Sequence, residues 1–270
     1  MRKLKDIYNY KDVPGDVGIE IELESSTPMP FTQLPKEWRA ENDGSLRGYS
    51  VEYVMKKPMA IEKVQDSLDK LAAVILKEGG RPVYSERAGV HVHVNVLDLT
   101  VEQIVCFALT YYCLEDVLVR FCGTNREGNH FCLRIKDAEM PLHILSGMRH
   151  EMNIENFNTD QIRYASMNFL SLFRYGSLEF RAMESQPDLS KVSDWATMLC
   201  LIRNYAVSVE NRESIAYDIS YHSPEGFVRH VLGDRGLDLL GYDGMEEDIM
   251  SSMRNCQLAL YSDPLEGEKT

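Results

Sequence analysis

Three short segments of the chain carry polar side chains of metal-ligand type on alternate residues. Glu20, Glu22 and Glu24 alternate with Ile19, Ile21 and Leu23; His91, His93 and Asn95 alternate with Val90, Val92 and Val94; Glu179 and Arg181 flank Phe180. In an extended strand successive side chains point to opposite faces, so each segment predicts one polar and one apolar face. A solvated edge needs no His-x-His, nor this mixture of Glu, His, Asn and Arg. Together the three polar faces argue for a metal and anion site laid across a sheet.

Several carboxylates with one or two imidazoles suit hard, oxygen-preferring divalent cations, Mg2+ or Mn2+, better than zinc, which favours Cys and His sets. Glu20, Glu22 and Glu24 on one face repel one another unless a metal or an arginine intervenes. Glu24, last on its strand beside Ser25, Ser26 and Thr27, suits solvent as well as it suits a metal. His91 and His93 read either as a solvated pair or as contacts to metal or phosphate. Glu179 and Arg181 read either as an ordinary ion pair or, beside an acidic cluster, as a ligand and a stabiliser of charge on a transferring phosphoryl group.

These strands need elements to hold them. A loop through Pro28, Pro30 and Pro35 leads to Glu41, Asn42 and the Asp43-Gly44 turn, which can hold a carboxylate at a strand mouth. A strand is expected around residues 51–54. Ile61, Val64, Leu68, Leu71, Ala72 and Ile75 follow helical spacing, and Gly79-Gly80 terminates the helix. Thr100 and Gln103 form a capping-box pattern opening a second helix through about Val119. Residues 188–211 read as a third helix. A hairpin is expected from residues 164–172, reversing over 174–176 into a strand over 177–183. Strands outnumber the intervening helices, which predicts α+β with a mainly antiparallel sheet. Beyond Tyr217 the chain reads as acidic and helical, with a final helix over 245–261 and a frayed tail over 266–270. The expected division is a catalytic domain over residues 1–214 and a helical C-terminal appendage over 215–270.

Composition bounds the function. With 44% hydrophobic and 26% charged residues, the 270-residue chain is ordinary for a globular protein. Neither a leader peptide nor an apolar run of membrane-spanning length is read, which predicts a cytoplasmic protein without membrane attachment. The six cysteines are scattered without a C-x-x-C pair, so buried free thiols are expected. Lys and Arg number 29 against 42 Asp and Glu, and the net charge of -13 disfavours general nucleic-acid binding. A small anion such as ATP is still admissible, because cations and arginines reverse the sign locally.

The motifs taken together resemble a known family. Gly18-x-Glu20-x-Glu22, Asp43-Gly-Ser45 followed by Glu52, Gly89-Val-His91-Val-His93, Arg126-x-x-Asn129-x-x-Cys132 and Arg163-Tyr164-x-x-x-Asn168 are similar to motifs of the amidoligases. The closing Tyr175-Gly-Ser-Leu-Glu179-Phe-Arg181, followed by Asp188 and the helix of Trp195, is the most specific. Each motif alone is weak, but six in the same order over about residues 15–205 are not. The family belongs to the carboxylate-amine ligase superfamily with glutamine synthetase and glutamate-cysteine ligase. The chain departs from the pattern in Ser177-Leu178 ahead of Glu179, where Ser for Thr keeps the hydroxyl, and in the turn over residues 184–187.

The resemblance implies a glutamine synthetase-like catalytic fold: a curved, mainly antiparallel sheet binding ATP and Mg2+, with Mn2+ as a substitute, and helices on its convex face. A carboxylate attacks the γ-phosphate to give an acyl phosphate, and an amine then displaces phosphate to form an amide. Carried over residue by residue, Glu20, Glu22, Asp43, Glu52, His93 and Glu179 would be metal ligands. Arg181, Glu52 and Glu179 would be catalytic, and His91, Arg126, Asn129, Asn168 and Arg174 would contact nucleotide or substrate. The acid substrate could be an amino acid, a peptide or a protein side chain, and a homo-oligomer is compatible with the family. Two other readings stay open: a catalytically silent nucleotide-binding or assembly module of the same fold, and a His-x-His metal-dependent hydrolase.

Overall fold

The computed structural model describes residues 2–126, 128–130, 132–135, 137–138, 140–148, 153–185, 187–241 and 246–261. In chain order the helices and strands are α1 (Leu4–Tyr8), β1 (Val17–Ser25), β2 (Trp38–Glu41), β3 (Tyr49–Met55), α2 (Val64–Lys77), β4 (Pro82–Val83) and β5 (Gly89–Asn95). There follow α3 (Val101–Cys122), α4 (Met140–Gly147), β6 (Met167–Asn168), α5 (Ser171–Tyr175), β7 (Ser177–Glu184), α6 (Ser190–Ser208), α7 (Arg212–Tyr221), α8 (Pro224–Leu240) and α9 (Glu246–Tyr261).

The seven strands form one open sheet in the order β2-β3-β1-β5-β7-β6, with β4 beside the end of β1, and every pairing between them is antiparallel. This is the mixed helix and sheet architecture the strand-rich pattern predicts. Alternation decides which face meets the helices. Ile19, Ile21, Leu23, Val90, Val92, Val94 and Phe180 are all at most 1% exposed. Phe107 and Tyr111 of α3 pack on Phe180, with ring centroids 5.4 and 4.9 Å apart. Burying an aliphatic or Phe side chain is worth roughly 1.5–3 kcal/mol, so a one-residue register slip, which would expose this row, is strongly disfavoured.

The capping box forms as read. Thr100 Oγ1 accepts from Gln103 N at 3.3 Å, and Gln103 Oε1 accepts from Thr100 N at 3.0 Å. The helix runs on to Cys122, a turn longer than expected, because its apolar residues continue into the core. All six cysteines are buried free thiols, and burial raises the pKa of Cys106, Cys132 and Cys200 to about 12.

Three local expectations are corrected. The stretch read as a loop before Asp43 contains β2, paired to β3 through Trp38↔Met55 and Glu41↔Glu52. The strand expected over 164–172 shrinks to two residues. Asn168 Oδ1 takes the N–H of Leu170, Ser171 Oγ bonds Asn168 O, and the chain turns into α5 before Gly176 reverses it at φ 68°. A Cβ at Gly176 would lie 2.2 Å from Leu97 Cδ2, so both conformation and space require glycine there. The helix expected to reach 211 stops at Ser208, since Asn211 caps α7 through Ser214 N. The final helix begins at Glu246 among the described residues; Met245 and the tail over 266–270 lie outside them.

The C-terminal helices contribute to the same hydrophobic core. Cys256 of α9 packs on α3 with its thiol 3.8 Å from Leu109 O, and Ser252 Oγ donates to Asp116 at 3.0 Å. Among the described residues no helix is long and apolar enough to cross a membrane.

Candidate active site

β1 is the central strand of the site because it pairs with β3 on one side and β5 on the other. Glu20 stands opposite His91, Glu22 opposite Glu52, and Gly18 opposite His93. One strand further on, His93 stands opposite Glu179, which in turn stands opposite Asn168 of β6. The three polar faces named by the sequence are therefore one continuous surface.

β7 carries an extra residue where it passes His91. Val90 pairs with Met183 and Val92 with Phe180, so two residues of β7, Arg181 and Ala182, oppose the single residue between. Bulges of this kind re-aim side chains. Arg181 N bonds Ser166 O at 2.8 Å, and its guanidinium NH1 donates to Glu179 Oε1.

His91 is the hub. It is 6% exposed, and its ring nitrogens lie 3.4 Å from Glu20, 3.8 Å from Glu22 and 3.7 Å from Glu179. His93 Nδ1 lies 3.2 Å from Ser177 Oγ, and the ring meets Tyr175 edge-on at 5.8 Å. His93 Nε2 is different. Glu20 Oε1 is 3.4 Å away without the alignment of a hydrogen bond, so this buried nitrogen has no hydrogen-bond partner among the described residues. Arg181 Nε is orphaned in the same sense. Buried polar atoms left unpaired are costly and point to a missing partner.

The donor set around that orphan fits a divalent cation. Glu20, His93 and Glu179 each offer a ligand atom, all within 4.8 Å of one another. Glu179 is fixed by Asn168 Nδ2 at 2.8 Å on one oxygen and Arg181 on the other. Glu22 is fixed by the N–H of Gly89 at 2.7 Å. Two oxygens and an imidazole nitrogen are an Mg2+- or Mn2+-compatible set.

The charges are strongly coupled. Burial pushes the Glu20 carboxyl up, but His91 and His93 outweigh it and hold Glu20 well below the usual range. Glu179 is likewise held down, with Arg181 and both imidazoles overcoming burial. His93 goes up: burial lowers it, and the Glu20 and Glu179 carboxylates more than compensate. Glu22 is raised by burial, which His91 and the Gly89 N–H only partly offset. Glu52 rises to about 7 through burial and the surrounding Glu20, Glu22, Asp43 and Glu41. An acidic row of this kind favours a bound cation.

Other expected residues take different positions. Asp43 sits in its turn, accepting Ser45 N at 2.7 Å, close enough to raise Glu22 and Glu52. Glu24 accepts Arg47 N at 2.8 Å, away from the cluster. Arg126 is buried under Gly89 and donates NH2 to Ala88 O and Met183 O, each at 3.0 Å. Asn129 Nδ2 bonds Glu86 O at 3.2 Å. Arg174 is exposed at the mouth of a cleft.

That cleft, of about 430 Å³, opens beside Glu20 and His93 and is the feature sequence reading missed. Lys11, Arg39, Lys56, Lys57 and Arg174 line it, with Tyr10 and Tyr175. Arg39 is paired with Glu41, whereas Lys11, Lys57 and Arg174 have no ion-pair partner among the described residues. In a chain of net charge -13 this local concentration of cations reverses the sign of the charge at the cleft. The lysines and arginines come from four separate segments; of them the sequence reading names only Arg174 as a nucleotide or substrate contact.

A family model described as "Putative amidoligase enzyme" matches residues 33–202, which includes β2 through most of α6. No curated protein matches the chain.

Proposed function

The chain belongs to the amidoligase family, and from that premise we propose that it joins a carboxylate to an amine at the expense of ATP, through an acyl phosphate. The supporting observation is the adjacency of two complementary features: the buried Glu20, His93 and Glu179 set with its orphaned Nε2, and the cationic cleft that opens beside it. A polyphosphate in the cleft would present its terminal phosphoryl group toward the carboxylates only with cations between them.

Glu20, His93 and Glu179 would hold Mg2+, with Glu22 and Glu52 at the flank. A cation held by these residues would supply charge neutralisation for the phosphate oxygens. Lys11, Lys57 and Arg174 bind and orient the polyphosphate by charge. Arg181, anchored by Glu179, supplies a guanidinium fork to the charge developing on the transferred phosphoryl group. The substrate carboxylate oxygen attacks that phosphorus and ADP departs. The amine then attacks the acyl carbon, phosphate leaves, and the amine's proton passes to a base. No protein nucleophile is required, in keeping with cysteines that are buried, and with thiols pushed up at Cys106, Cys132 and Cys200.

The test is ADP and phosphate release with Mg2+ and ATP while carboxylates are crossed with hydroxylamine. Hydroxamate formed in step with ADP supports the ligase reading. Turnover of ATP without any hydroxamate across amino acids, peptides and protein acids would remove it.

A further inference from the structure

A second group of ligand-type side chains converges in the helical layer, outside the matched residues. Asp218 lies in the last turn of α7, and His222, four residues on, caps it with its N–H on Asp218 O at 2.9 Å. That spacing places both side chains on one helix face. His230 of α8 closes the group: its ring stacks on His222 with centroids 4.9 Å apart, and its Nε2 lies 3.6 Å from Asp218 Oδ2. One ligand atom from each residue lies within 4.8 Å of the others.

We propose that Asp218, His222 and His230 bind Zn2+ or a neighbouring late first-row divalent cation, with water completing the coordination. Two imidazoles and one carboxylate are a donor set that such ions prefer over Mg2+. A simple ion pair accounts for the arrangement less well. At 3.6 Å the His230 and Asp218 atoms are too far apart to hydrogen-bond. Tetrahedral ligand atoms about 2.0–2.1 Å from zinc are roughly 3.3 Å apart, near the 3.6 Å between His230 Nε2 and Asp218 Oδ2. The carboxylate is already oriented, since Tyr205 of α6 donates its hydroxyl at 2.6 Å to Asp218 Oδ2, the oxygen that faces His230. Outer partners of this kind fix metal ligands. His230 is exposed and His222 half-buried, which leaves an entry path. The ion would clip α6, α7 and α8 together.

The experiment uses the full chain, stripped with a chelator, in a Glu20→Gln, His93→Ala background that disables the sheet site. Zn2+ is titrated calorimetrically, with Co2+ as an absorbing probe. Binding of about one equivalent is expected, lost when His222→Ala is added. Tyr205→Phe keeps all three ligands and is expected to weaken binding by roughly ten- to a hundredfold. A second measurement leaves the sheet site intact: His222→Ala with His230→Ala should lower bound Co2+ by about one equivalent. No zinc bound in the background variant, or stoichiometry unchanged after removal of both histidines, overturns the proposal.

Discussion

Glu22 and Glu52 occupy directly opposed positions on β1 and β3, and Glu41 of β2 extends the same row beyond Glu52. Like charges directly opposite in a sheet destabilise it by up to about 1 kcal/mol. Replacing Glu52 by Gln keeps the shape and removes the repulsion. The metal-free Glu52→Gln protein should therefore be more stable than wild type by roughly 1 kcal/mol at pH 8, read as a shift in urea midpoint. Mn2+ should stabilise it less than it stabilises wild type. A metal-free midpoint below wild type would mean that the row is not repulsive.

The polar face is legible in the sequence because period-two alternation is a local property, and it puts Glu20 with Glu22, His91 with His93, and Glu179 with Arg181 on polar faces without any knowledge of strand pairing. The sheet class followed from the same patterns. What escaped depends on chain segments meeting in space. The two-residue β6 was obscured because Asn168 and Ser171 divert the backbone into α5, and hydrogen bonds of that kind override strand propensity. The cleft lysines escaped because Lys11 and Lys57 come from separate segments, neither in a periodic pattern, and meet Arg174 only in the folded chain. The bulge opposite His91 leaves no mark on composition at all.

Arg181 and Glu179 allow a test of roles that separates charge from geometry. Arg181→Ala would strip a nine-tenths buried carboxylate of its cation, at a cost of about 3–5 kcal/mol, so loss of activity there mixes folding with catalysis. Arg181→Lys keeps the charge and loses the fork. Its kcat should fall by roughly a hundredfold with a far smaller change in melting temperature. Near-normal kcat at saturating Mg-ATP would assign the transition-state contact to another residue.

The cleft cations predict a different signature. Lys11, Lys57 and Arg174 lie outside the buried cluster, so substituting each by Ala should leave stability within about 0.5 kcal/mol. The effect should fall on KM for ATP, raised about tenfold for each, with kcat little changed, as removal of ground-state binding requires. Raising ionic strength should weaken wild-type ATP binding and narrow its difference from the variants. Unchanged KM in all three would place the polyanion elsewhere.

Glu115, buried in α3 on the other side of the sheet, predicts how stability depends on pH. Burial raises its carboxyl to about 8 from an ordinary 4.5, against the opposing bonds from Ser166 Oγ and from Ile135 N at 2.8 Å. A raised folded pKa means that the folded state holds the proton more tightly than the unfolded one. The stabilisation is full below about 4.5 and is lost as pH rises through about 8. Glu115→Gln presents a permanently neutral amide whose carbonyl can accept from Ile135 N while its NH2 donates to Ser166 Oγ. Near pH 5 the two proteins should melt together, and near pH 9 the Gln variant should melt higher, with the wild-type decline between them flattened. Parallel melting curves across that range would show that Glu115 is ionised in the folded protein and that its two hydrogen bonds outweigh its burial.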